Sequence, residues 1–229
     1  MAKKRKGQCV YCGSEKSKLT EDHIPPKALC AKPYPTDIVK VPSCRSCNVG
    51  ASLDDEYFKT IMVLKDGAGS HPEAVGIRDS VFRGFQMHQK LGFARSIVHG
   101  IRLVDVRTMA GLYLRPQAAF DVNLGRVDRV VARITRGLFW YHKRDRLPDQ
   151  FDVAVCSEEG LSGLDNRNVQ AIREEVIIPV LNNPEHAVGR GVMHYWHAFA
   201  TDHAHVSAWL YEFYGDVRFI ALVVPRHGL

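Results

Sequence analysis

No apolar run in the 229-residue chain approaches the roughly 18 residues that would suggest a membrane span, so a membrane partner is not expected. The N-terminus, Met1-Ala-Lys-Lys-Arg-Lys6, is basic but lacks the apolar stretch of a signal peptide, which points to a cytoplasmic protein. Without a secretory signal, six cysteines do not read as a disulfide framework. Internal repeats and low-complexity stretches are also missing, so no repeat array organises the chain. An acidic excess is missing too: 31 Lys and Arg face 25 Asp and Glu, for a net charge of +6. That balance suits a polyanionic partner, because neutralised phosphates release counterions. Charge alone does not separate this from an ordinary basic protein.

What is present starts with the spacing of four of the cysteines. Cys9-Val-Tyr-Cys12 and Cys44-Arg-Ser-Cys47 are two C-x-x-C knuckles separated by 31 residues. Each knuckle lets two thiolates converge on one ion, and two complete the tetrahedral shell that Zn²⁺ prefers. So small a segment buries little apolar surface of its own, and a bound ion would supply folding energy. A redox pair needs only one such motif, normally opening a helix in a βαβ unit. Structural zinc is therefore the better reading. Cys30 and Cys156 fall outside it and read as small buried residues.

Between the knuckles lies Thr20-Glu-Asp22-His23-Ile-Pro25-Pro26, and the second knuckle runs directly into Asn48. The combination Cys-x-x-Cys, Asp-His, Cys-x-x-Cys-Asn resembles the HNH, or His-Me finger, endonucleases. It looks particularly like the phage Holliday-junction resolvase branch, in which an Asn follows the last zinc cysteine. Asp22-His-Ile-Pro-Pro-Lys27 and Ser52-Leu-Asp-Asp-Glu-Tyr-Phe58 are also similar to segments of small bacterial HNH endonucleases. The resemblance covers about residues 9–58.

That resemblance implies a ββα-metal module. His23 would close the first strand, Ile38-Val-Lys-Val41 would return, and Asn48 would ride on the helix. Asp22 and Asn48 would give oxygen ligands to one Mg²⁺ or Mn²⁺, while His23 acts as general base. The match departs from the commonest pattern at Asn48, where many members carry a metal-binding His. The family's middle Asn, which orients the base, has no counterpart before Cys44. Asp37 or a backbone carbonyl remain the alternatives. Ser52 and Asp55 have the spacing of a helix cap with an acidic third residue, a better reading than further metal ligands.

The remaining chain reads as α+β: a zinc-stapled module over 1–66 and a larger α+β domain over 67–229 for substrate binding, dimerisation or regulation. Residues 1–8 read as a solvated basic tail and 65–72 as a loop. Helices are expected over 80–98, 126–144 and 167–178. Strands are expected near 101–107, 112–122 and 151–156, with a closing antiparallel meander over 191–200, 204–214 and 217–224. On the helix over 126–144, Arg126, Arg129, Arg133 and Arg136 fall on nearly the opposite face from the apolar row of Val127, Val130, Val131, Ile134 and Leu138. Such a stripe fits a DNA backbone. His194, His197, His203 and His205 have no acidic or sulfur partner in view and read as sheet-surface or core side chains. The expected activity is phosphodiester hydrolysis on DNA, and a double-strand cut by one site per chain favours a homodimer. A non-catalytic zinc ribbon that binds nucleic acid or protein is the competing reading.

Overall fold

The computed structural model describes residues 7–16, 18–65, 67–86, 91–107, 113–161 and 163–226. Of the basic tail expected over 1–8, residues 1–6 lie outside them, and Gly7 and Gln8 form a strand instead. Strands β1 (Gly7–Gln8) and β2 (Glu15–Lys16) pair antiparallel around the first knuckle. Gly13 takes φ +69° there, a left-handed turn position that a side chain would strain. Strands β3 (Thr20–Ile24) and β4 (Val39–Ser43) form an antiparallel hairpin that sets His23 opposite Lys40. The ladder stops before Pro25, as a residue without an amide donor requires. Helix α1 (Arg45–Gly50) starts within the second knuckle, with Cys44 at its N-cap and Cys47 in its first turn, and α2 (Ser52–Leu64) comes next. The expected ββα order is present.

Helices α3 (Pro72–Gln86) and α4 (Leu91–Gly100) occupy the stretch expected to hold one helix over 80–98. The first begins earlier because Pro72 suits the opening turn of a helix. A hairpin of β5 (Arg102–Arg107) and β6 (Tyr113–Ala119) comes next, then the 20-residue α5 (Leu124–Lys143). Asn123 caps α5, its Oδ1 accepting from the Arg126 amide at 3.2 Å.

Strand β7 (Phe151–Ser157) leads to α6 (Glu158–Leu161), α7 (Asn166–Ile172) and, past a π-type turn, α8 (Ile178–Leu181). Then β8 (His186–Val188), β9 (Met193–Phe199), β10 (Ser207–Phe213) and β11 (Val217–Pro225) complete an antiparallel sheet of order β7-β11-β10-β9-β8. The meander appears where expected. The short β8 and the return of β7 to pair with β11 were not foreseen.

Alternation along the strands sends Trp209, Tyr211, Phe219, Ala221 and Val223 into the main core, and Leu210 and Ile220 against Val180 of α8. The main core includes Ile24, Leu29 and Phe58 as well as Leu138, Phe213 and Val223. Residues on both sides of the expected boundary near 66 thus share one core. Helix α5 is the link. Gly137 leaves no room for a side chain against Ile24 of β3, so helix and hairpin meet backbone to side chain. Thr135 Oγ1 lies 2.8 Å from Tyr211 Oη on the sheet side. Among the described residues no helix is long and apolar enough to cross a membrane.

Candidate metal and catalytic site

The four knuckle sulfurs gather at one point. Ligand atoms of Cys9, Cys12, Cys44 and Cys47 all lie within 4.8 Å of one another, and none of these cysteines is in a disulfide. Tetrahedral coordination with Zn–S near 2.3 Å sets sulfurs about 3.8 Å apart. Cys12 Sγ and Cys44 Sγ are 3.8 Å apart. The donor set fits a structural Zn²⁺. The Ser46 hydroxyl, 3.0 Å from Cys44 Sγ, and then the Cys47 amide lower the Cys44 thiol to about 6. Ser14 similarly draws Cys12 down, whereas burial pushes Cys47 up.

Beside the knuckles, Asn48 is pinned to β3. Its Nδ2 donates to Thr20 Oγ1 and to the Glu21 carbonyl, both at 3.1 Å. That brings a side-chain amide against the strand carrying Asp22 and His23. The strand separates those two, since neighbours on a strand point to opposite faces. Asp22 faces inward and is only 4 % exposed. Its Oδ2 accepts from Tyr11 Oη at 2.6 Å and lies 3.5 Å from Arg133 Nε, while its Oδ1 accepts from the His23 amide at 2.9 Å. His23 is half-buried on the other face. Burial, then the charge of Lys27, lowers its imidazole below the ordinary value, so it is neutral at pH 7 and able to accept a proton. The sequence brings the Asp-His pair and Asn48 into one hairpin-and-helix unit, but the Asp22 carboxylate is already engaged.

The arginine row lies differently from the solvent-facing stripe that the helix pattern suggested. Arg126 Nε and Arg129 Nε each reach Asp54 at 2.7 Å, and Arg126 Nη2 also donates to the Leu53 carbonyl at 2.6 Å. Arg133 is 13 % exposed and donates to Asp55 Oδ2 at 2.9 Å. Arg136 donates to the Phe151 carbonyl at 3.2 Å. At 100° per residue the arginine row sits roughly 135° from the apolar row, not fully opposite it, so long guanidinium stems reach the neighbouring helix. Arg129, with 63 % of its side chain exposed, is the most open of the four. Arg129, Arg133 and Arg136 nonetheless line a cleft of about 560 Å³ together with Tyr11, Ser46, Cys47 and Asp54.

The partners of that row correct a second expectation. Ser52 does not cap α2; its hydroxyl donates to the Val49 carbonyl at 2.7 Å, and Asp54 and Asp55 serve as acceptors for α5. Burial raises the Asp55 carboxyl to about 6 against the attraction of Arg133. Burial opposes the Arg133 charge as well, but Asp22 and Asp55 outweigh it and hold the guanidinium protonated. Asp55 Oδ1 and Arg133 Nη1 are buried without a partner among the described residues. Asp37, a candidate to orient His23, instead accepts from the Arg190 amide at 3.1 Å. Sequence reading missed the Tyr11–Asp22–Arg133–Asp55 cluster, although two aspartates opposite a row of arginines was its available signal.

No curated protein and no solved structure matches the chain. Residues 9–61, which hold both knuckles, the β3–β4 hairpin, α1 and most of α2, match the model of the HNH endonuclease family.

Proposed function

We propose that the chain is a metal-dependent HNH endonuclease that hydrolyses DNA phosphodiester bonds, with His23 as general base and Zn²⁺ held at the knuckles as a structural ion. The observation that carries this reading is the pinning of Asn48 onto β3 by Thr20 and Glu21, next to the Asp-His pair and within a four-cysteine staple. Asn48 Oδ1 has no hydrogen-bond partner among the described residues and is a ready oxygen ligand. Asp22 and Asn48 would hold one Mg²⁺ or Mn²⁺, a hard cation suited to their oxygens. When bound, such an ion polarises the scissile phosphate and steadies the leaving oxygen. The neutral His23 imidazole takes the proton of the attacking water. Arg129 and its neighbours in the cleft supply positive charge for the phosphate backbone. Engagement of Asp22 by this ion exchanges part of its contact with Tyr11 and Arg133.

The same contact favours one rival. An Asp22 locked by Tyr11 and Arg133 suits a zinc module that only binds nucleic acid or protein. Purified chain offered plasmid, linear, single-stranded and branched DNA with Mg²⁺ or Mn²⁺ separates the two readings. Cleavage that falls by about 10²–10⁴ in His23→Ala, with zinc content and DNA affinity retained, supports the nuclease. Undiminished cleavage in His23→Ala refutes the assigned base, and no cleavage of any form by the wild type favours the binding module.

A further inference from the structure

Three histidines from distant parts of the chain meet on the face of the main sheet that α5 covers. His142 comes from the last turn of α5, His186 opens β8, and His197 lies in β9. Strand pairing explains half of this. His186 stands opposite Tyr195, and His197 is two residues further along the same face. Helix α5 crosses that face and delivers the third ring. Ring centroids are 4.1 Å apart for His142 and His197, 5.2 Å for His142 and His186, and 5.4 Å for His186 and His197. One ring nitrogen from each lies within 4.8 Å of the other two.

We propose that His142, His186 and His197 form a second metal site, which binds a zinc-class divalent cation through three imidazoles. It shares no residue with the knuckles or with Asp22, His23 and Asn48. The chemistry of the donors selects the ion: imidazole suits Zn²⁺, Co²⁺, Ni²⁺ and Cu²⁺, whereas Mg²⁺ and Ca²⁺ require oxygen. Nitrogens around a tetrahedral Zn²⁺ stand about 3.3 Å apart, given Zn–N near 2.0–2.1 Å, so modest ring rotations close the set.

Two further features point to a ligand. His197 Nδ1 is buried and has no hydrogen-bond partner among the described residues, which an ion would supply. Tyr195 Oη lies 3.0 Å from His142 Nε2 and holds that ring, as the outer partners of metal-bound histidines do. His197 is further held by stacking on Trp209 at 4.7 Å. The nearby charges, Lys143 and Arg144, are positive. With three neutral ligands the ion keeps its full charge, and its remaining position favours water, hydroxide or another anion. The site ties the end of α5 to the edge of the sheet.

Cobalt distinguishes this site from the knuckles. Co²⁺ is titrated, in excess Mg²⁺ that fills any site at Asp22 and Asn48, into full-length protein whose knuckles carry zinc. One saturable equivalent is expected, with visible ligand-field absorption and without the thiolate charge transfer of a cysteine site. His186→Gln and His142→Gln should each lose it while zinc stays at one per chain. Tyr195→Phe should keep the site but weaken it by about 10–100-fold, as loss of an orienting partner does. An imidazole ¹⁵N spectrum of the wild type, with and without Zn²⁺, tests the same rings without a variant, and should shift three of them. No saturable cobalt equivalent, thiolate charge transfer in its spectrum, or wild-type cobalt affinity in either Gln variant would overturn the proposal. So would unmoved histidine resonances.

Discussion

Arg133→Met removes one guanidinium from a buried cluster and leaves its two carboxylates behind. Methionine keeps much of the arginine stem, so the change isolates the charge. In the wild type, Arg133 donates to Asp55 at 2.9 Å and stands 3.5 Å from Asp22, with 13 % of its side chain exposed. Asp22 keeps its bonds from Tyr11 and the His23 amide, so Asp55 suffers more, having already one unpaired oxygen. Breaking one partner out of a buried ionic set costs about 3–5 kcal/mol. That is a large share of the roughly 5–15 kcal/mol that holds a domain folded. At about 2–4 °C per kcal/mol for a chain of this size, the melting temperature should fall by about 6–20 °C. Thermal and urea melts followed by circular dichroism read the loss. Arg129→Met, at the exposed end of the same row, should leave the melt nearly unchanged. Adding Asp55→Asn to Arg133→Met should restore much of the loss, because the stranded charge goes with its partner. Equal melts for Arg133→Met and Arg129→Met would refute the buried cluster as the seam between α5 and the zinc module.

Cys44→Ser should lower the zinc content measured by plasma mass spectrometry by one ion per chain and destabilise the segment around both knuckles. Its wild-type zinc content rules the reading out if elemental analysis of fresh protein finds none at the knuckles. The acid limb of DNA cleavage should lie below pH 6.5, since burial and Lys27 lower His23 and it stays a free base into mildly acidic buffer; a limb above 6.5 argues against His23 as the base. Glu73 accepts from Arg190 Nε at 2.7 Å, from Arg190 Nη2 at 2.9 Å and from the Ala31 amide at 2.7 Å. Burial alone would raise its carboxyl, but Arg190 and that amide hold it below the usual 4.5. Its contribution to stability is therefore present above about pH 4.5 and lost as the pH falls through the lower folded value. Glu73→Gln should flatten that acidic part of the stability curve, and an unaltered curve would place the acid sensitivity elsewhere.

Much of the fold was legible because its signals are local. A period of 3.6 marks Val127, Val130, Val131, Ile134 and Leu138 as one face of α5, and all five are buried. Alternation marked the meander, with Thr201-Asp202 and Gly215-Asp216 as its turn signals. Partners distant in sequence were not legible. Strand β7 pairs with β11 across some 60 residues of intervening chain, and nothing in Phe151–Ser157 announces that neighbour. β8 has only three residues, too few for alternation to register. The expected capping role of Ser52 and Asp55 failed for a related reason. Helix-cap spacing is a local pattern, and the arginines that claim Asp54 and Asp55 arrive from more than 70 residues away.

The candidate site divides along the same line. Four cysteines in two knuckles announce a metal by spacing alone, since each pair converges within one turn and only the pairs must be brought together. Asp22, His23 and Asn48 were legible as residue types beside those knuckles, but not as an arrangement. Whether an aspartate on a strand faces solvent or core depends on what packs against that strand, and here it is α5. Gly137 allows the helix to lie against Ile24, and that approach puts Arg133 within reach of Asp22. A glycine in a helix thus decides how available a carboxylate is more than a hundred residues earlier. His142, His186 and His197 carry the argument furthest. Paired histidines drew the eye to His194 with His197 and to His203 with His205; the rings of the second pair lie against Phe151, and of the four only His197 joins the set, with His142 from a helix and His186 from an edge strand. Nothing in their spacing relates them; only the crossing of α5 over the sheet does.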